Sequence, residues 1–179
     1  MRTTAVNRKQ SFKKQAASLK DAVVQSMIDS GIMNYGHFII NAVGKVEGND
    51  FNYAYTVGMT NQNLPEILFA SPLPEKDMQY LLNEAVKLLP GMLDDLSTVF
   101  EIGDYDVNDA PGRFKWMALD RHSARSVAKD FMQHANNRYG LKVLTAQGIY
   151  QLLGPDDNNV LPGEAGYDQK FAQPVFIVA

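Results

Sequence analysis

Residues 51–70 read FNYAYTVGMTNQNLPEILFA, and the way this stretch folds decides the architecture on either side of it. Phe51 to Val57 is dominated by aromatic and β-branched residues, the types that pack well on a pleated surface. Side chains alternate along a strand, so Tyr53, Tyr55 and Val57 share one face while Asn52, Ala54 and Thr56 share the other. Ile67 to Ala70 is a short apolar run suited to a buried strand. Upstream, His37 to Val46 reads as another strand and Glu47 to Asp50 carry turn residues, so 37–57 predicts a hairpin.

Working outward, Ser71 to Pro74 suit a helix entry. Met78, Leu81, Leu82, Ala85, Val86 and Leu89 then fall on one helical face until Pro90 and Gly91 stop it. Thr98 to Ile102 and Phe114 to Leu119 read as strands joined by an exposed loop, Gly103 to Gly112, that carries Asp104, Asp106, Asp109 and Pro111. Asp120 or Ser123 caps a helix with Ala124, Val127, Ala128, Phe131 and Ala135 on one face and Gly140 beyond its end. Leu141 to Leu144, Ile149 to Leu153 and Pro174 to Val178 read as strands, with a long irregular stretch from Gly154 to Ala172. The strands cluster rather than alternate strictly with helices. The expected fold is therefore a single α+β domain, a mainly antiparallel sheet (a mixed one left open) packed with two or three helices.

The first 20 residues hold Arg2, Arg8, Lys9, Lys13, Lys14 and Lys20 and no acid. Residues 1–17 read as a basic arm or helix extension ahead of a domain spanning 18–179, in which Ser18 caps a helix that Gly31 ends. The whole chain of 179 residues has a net charge of −3 and a pI near 5.6, which gives it no long-range attraction for phosphate backbones, so no nucleic-acid partner is expected. With no cysteine, disulfides, thiolate zinc sites and cysteine nucleophiles are excluded. No export signal or bilayer-length apolar run is visible, so the expectation is a cytoplasmic protein without a membrane partner.

Three pieces occur in order: Tyr35, Gly36, His37 and Phe38; then YAYTVGMT at Tyr53 to Thr60; then Pro65 and Glu66. Gln151, Pro155, Asp156, Pro162, Tyr167, Gln173 and Pro174 follow downstream. Together, over about residues 32–176, they resemble the bacterial and phage family catalogued as domain of unknown function 4262. That family pairs a YTVG-type strand with a PE-led strand and closes with a glutamine strand, a PD turn and a QP strand. One departure is Leu64, where the family often has histidine; a shared histidine-dependent chemistry is thereby in doubt. The resemblance implies a fold and a candidate site and names no reaction.

The candidate ligand-binding residues are His37, Tyr53, Tyr55, Thr56, Gln151 and Asp156. Tyrosine combines an apolar body with a hydroxyl that needs a partner when buried, which suits a pocket wall and a core edge alike. His37 begins the strand expected to pair with the Tyr53 strand and is the best-placed titratable histidine. His122 and His134 are about three helical turns apart and lack an HExxH pattern, so no metal site is expected. Asp156 to Asn159 do not match a calcium-loop spacing and read as a turn. No GxGxxG, Walker or GxSxG signature is present. No cofactor is expected. The first reading is a non-catalytic binding module for a small polar ligand, a nucleotide-like one being one option, or for a partner protein. The family's phage-encoded members extend it to a role in phage–host conflict. The alternative is a hydrolase or transferase using His37 and Tyr53 or Tyr55, and a homo-oligomer is compatible with either.

Overall fold

In the computed structural model the described residues are 4–46, 49–169 and 173–176. The chain divides into two compact units, Met1–Phe38 and Ile39–Ala179. The first contains helix α1 (Thr4–Tyr35), a single run of 32 residues. Ser18 is thus internal to a helix instead of capping one, and Gly31 does not end it. The Phe38 ring explains the glycine: a Cβ at position 31 would come within 2.5 Å of Phe38 Cδ2. The helix closes at Gly36, whose N–H donates to Ile32 O at 2.9 Å.

The second unit carries the sheet. In chain order the strands are β1 (Phe38–Val46), β2 (Asn49–Val57), β3 (Glu66–Ala70), β4 (Val99–Val107), β5 (Ala110–Ala118) and β6 (Ile149–Leu153). Their spatial order is β1-β2-β3-β6-β5-β4. β2–β3, β4–β5 and β5–β6 are antiparallel and β3–β6 is parallel, so the fold is α+β with a mixed, mostly antiparallel sheet. Five α-helices are described, against the two or three expected; beside α1 they are α2 (Glu75–Met92), α3 (Arg121–Asp130), α4 (Gln133–Tyr139) and α5 (Leu141–Gln147). None of the described helices is long and apolar enough to cross a membrane.

Helix α2 covers one face of the sheet. The periodic residues Met78, Leu81, Leu82, Ala85 and Leu89 are buried as the spacing predicts, against a core that includes Ile67, Phe69, Phe114 and Trp116. The helix runs past Pro90 to Met92. A proline so near the end removes only the N–H that would have bonded the Val86 carbonyl, a small loss compared with a mid-helix break.

Three further readings are corrected. Gly103 to Gly112 is no loop: β4 and β5 extend through most of it and turn at Asn108 and Asp109, both left-handed at φ 52° and 61°. Two consecutive residues with positive φ make the turn that matches strand twist, and Asn and Asp tolerate it. The charges of Asp104 and Asp106 point to solvent along the sheet's outer strand. Leu141 to Leu144 is helical, with only Leu144 of α5 buried; a four-residue apolar run carries too little period to separate helix from strand. Residues 173–176 are not a strand, and Ile177 and Val178 lie outside the described residues.

Leu82 is fully buried beneath α2. Leu82→Ala is expected to lower the unfolding free energy by roughly 2–5 kcal/mol through lost burial and a residual cavity. Urea titration checks it, and near-parental stability would contradict the packing.

Candidate functional site

Glu66 is the first residue of β3 and is completely buried. Its carboxylate accepts the Thr56 hydroxyl at 2.6 Å through Oε2, and the N–H groups of Gly58 and Thr60, both at 3.0 Å, through Oε1. Thr56 Oγ1 in turn accepts the Ile67 N–H at 2.8 Å. Gly58 stands at φ 128°, a conformation that needs glycine, and opens a 3-10 turn over Met59–Gln62. The YTVG and PE pieces are therefore two halves of one cradle. Burial raises the Glu66 pKa, and the Thr56, Thr60 and Gly58 hydrogen bonds oppose that rise without cancelling it. Tyr139 adds a phenol whose pKa is raised by burial and by the Glu66 charge.

Tyr53 and Tyr55 do share a face, opposite α2, and they do a joint task there. The run expected as one helix breaks between α3 and α4 at Phe131 and Met132. Tyr53 donates to the Phe131 carbonyl at 3.1 Å, and the His134 N–H donates to the Tyr55 hydroxyl at 3.4 Å. Both backbone groups lie at the break, where intrahelical partners run out. Burial raises the pKa of both tyrosines, most strongly at Tyr55, which keeps each a neutral phenol at physiological pH. A neutral phenol is a poor base or nucleophile. Asp120 caps α3 by accepting from the N–H groups of His122 at 2.7 Å and Ser123 at 3.1 Å.

Gln151 and Gln173 clasp the C-terminal segment to β6. Gln151 donates to Pro174 O at 2.7 Å and accepts from Phe176 N at 3.0 Å. Gln173 accepts from Gly154 N at 3.1 Å and donates to Leu152 O at 3.3 Å. Asp156 accepts the N–H groups of Asn158, Val160 and Asp168 at 2.9, 2.9 and 2.7 Å. Desolvation pushes its pKa up, but those three donors together bring it below the ordinary value. The surrounding loop is tied to the β4–β5 hairpin. Arg113 grips Glu164 with two bonds of 2.8 Å, and Asn159 bonds Arg113 N and Pro111 O.

Of the six residues singled out from sequence, the structure brings Tyr53 and Tyr55 together on β2. Thr56, on the other side of the same strand, serves the Glu66 cradle. Gln151 and Asp156 serve the C-terminal segment and the late loop. His37 belongs to the first unit, immediately before β1. Trp116 is 2% exposed and stacks on Phe100, as core packing requires. Leu64 packs against the apolar core.

Sequence reading missed Glu66 as a site residue, although an acid heading an otherwise apolar strand was a usable signal. It also missed a cleft of about 220 Å3 lined by Asn41, Ala42 and Val43 of β1, Asn52 of β2, and Glu75 and Met78 of α2. Asn41 Oδ1 is buried without a partner, and no hydrogen bond engages the side chains of Asn52 or Glu75 among the described residues. No local pattern joins residues so far apart in sequence. Among the described residues, no three or more His, Asp or Glu side chains gather as metal ligands do.

The family model described as domain of unknown function (DUF4262) matches residues 31–168. No curated protein matches the chain. No solved structure matches it.

Glu66 also generates a pH prediction. A carboxyl whose folded-state pKa is raised contributes stability that is full below the ordinary value of 4.5 and is lost as pH rises through the folded-state pKa. Glu66→Gln keeps an acceptor for the two N–H groups and reverses the Thr56 bond, so it should fold and lack that decline. Glu66→Ala leaves three donors unsatisfied and should cost roughly 3 kcal/mol or more. Urea melts between about pH 4 and about pH 8 compare the three proteins; equal pH dependence in parent and Glu66→Gln would contradict the assignment.

Proposed function

The chain belongs to the DUF4262 family, and since the motif residues singled out from its sequence are engaged in holding the backbone, we propose that it is a non-catalytic binding module whose ligand site is the cleft between β1, β2 and α2. The observation that carries this reading is the contrast in hydrogen bonding. Thr56, Glu66, Gln151, Asp156 and Gln173 are buried and bonded to the chain itself. The cleft instead offers polar side chains with hydrogen-bonding capacity to spare, which is what orients a bound molecule.

At about 220 Å3 the cleft is smaller than the roughly 300–1,000 Å3 of pockets that take drug-sized ligands. A small molecule, or one side chain of a partner, fits that size. Glu75 places a carboxylate at the start of α2 and suits a hydrogen-bond donor such as an ammonium group better than a phosphate. Among small polar ligands the reading therefore favours an amine or amino acid over a nucleotide.

Thermal denaturation against amino acids, polyamines and nucleoside monophosphates tests it. At least one amino compound should raise Tm of the parent; saturation near 100 Kd corresponds to about 2.7 kcal/mol, or several degrees for a chain of this size. Asn52→Ala and Glu75→Gln, each exposed at the surface, should keep the parental Tm without ligand and lose that shift. No shift with any compound, or an undiminished shift in the double variant, would refute the proposal.

A further inference from the structure

In the second unit two exposed patches carry opposite charge. Residues 88–112 hold six acids, Asp94, Asp95, Glu101, Asp104, Asp106 and Asp109, all exposed, and no lysine or arginine. They follow the outer strand β4 and the turns at its two ends. Helix α3 is the reverse: Arg121, Arg125 and Lys129 are exposed at four-residue steps with no acid between them. Asp120, just ahead, is engaged as the cap of the helix. Among the residues whose side chains are described, no ion pair engages these three cations, nor Glu101, Asp104, Asp106 or Asp109. Acids on an outer strand keep other strands from pairing with it. That duty accounts for the acids of β4 itself, but not for Asp94 and Asp109 beyond it, nor for a helix stripe of purely opposite charge.

We infer that copies of this chain associate by setting the cationic stripe of α3 on one copy against the acidic β4 side of another. The chain supplies both halves of that contact, and their spacings agree. Four residues of helix rise about 6 Å. Asp104 and Asp106, on either side of half-buried Tyr105, lie about 6.6 Å apart along the strand. Two successive arginines of the helix therefore reach two successive carboxylates of the strand. A guanidinium binds a carboxylate through two parallel N–H bonds, and Arg113 already holds Glu164 in this way at 2.8 Å. The acids that turn away a strand thus accept the side chains of a helix. A long polyanion is the poorer occupant of α3, because it would meet the six carboxylates of residues 88–112 on the same unit. The contact does not depend on the cleft holding a ligand.

Sedimentation equilibrium at neutral pH and about 100 μM, where micromolar contacts are populated, is the test. Exposed ion pairs are individually weak, and charges act over roughly 30 Å at about 0.01 M salt but only roughly 3 Å at about 1 M. In low salt the parent is expected at about twice its 19.9 kDa chain mass or more, since a contact between two different patches leaves one of each open to further copies. In high salt it should have the mass of one chain. Arg121→Glu with Arg125→Glu sets acid against acid, and Asp104→Lys with Asp106→Lys sets cation against cation, so each double variant alone should stay single in low salt. Mixed in equal amounts the two should associate again, because the intact β4 of the first meets the intact α3 of the second. Circular dichroism and Tm of each variant should match the parent, since all four positions are exposed. A parent of single-chain mass in low salt would overturn the inference and leave β4 to the cations of residues 1–20 or to another protein. Association that survives high salt or either double variant, or a mixture that stays single, would overturn the pairing of these two patches.

Discussion

A carboxylate without water is stable in a protein only when donors surround it, and Glu66 has a hydroxyl and two backbone N–H groups directed at it. The position of this group makes it consequential. It heads β3, which pairs with β2 on one side and with β6 on the other at the centre of the sheet. Its donors come from the end of β2 and from the turn that reverses the chain. One side chain thus sets where β2 stops, how the turn closes and where β3 begins. With the β2–β3 register fixed, Tyr55 stands opposite Leu68 and Tyr53 opposite Ala70, and the tyrosines meet the α3–α4 junction.

The same solution recurs at three other places where the backbone leaves regular structure inside the second unit. Tyr53 and Tyr55 supply partners at a helix break, Gln151 and Gln173 serve a segment outside the sheet ladder, and Asp156 gathers three N–H groups of a loop. Buried backbone groups without partners would cost free energy comparable to the bonds themselves, so these side chains are structural requirements of this path. Their chemistry is accordingly committed, which shifts the search for a ligand to surfaces such as the cleft beside β1.

What could be read from the sequence follows from the range of each signal. The period of Met78 to Leu89 is local and strong, and α2 lies where it predicts. The alternation in Tyr53 to Val57 likewise identified the shared tyrosine face. Pro90 and Gly91 misled because breakers act weakly within a last turn, and Asp104 to Asp109 because charge on an outer strand looks like a loop. For Leu141 to Leu144 four residues could not reveal a helix. The tasks of the motif residues are non-local. Thr56 gains its meaning from Glu66, Gln151 from Pro174 and Phe176, and Asn41 from Asn52 and Glu75. Collinear motifs indicated that these positions belong together without saying whether they hold a ligand or the chain.

The account rests on the Glu66 cradle, and amide hydrogen exchange at Gly58 and Thr60, resolved by NMR, tests it most directly. Both amides lie in a short turn beside the exposed residues Asn61, Gln62 and Asn63, where unbonded N–H groups exchange at nearly unprotected rates. Held by a buried carboxylate, they should exchange orders of magnitude more slowly than the same amides in an unfolded peptide, with an opening free energy close to that of the β3 amides. Exchange at Gly58 and Thr60 at the unfolded-peptide rate would contradict the central claim.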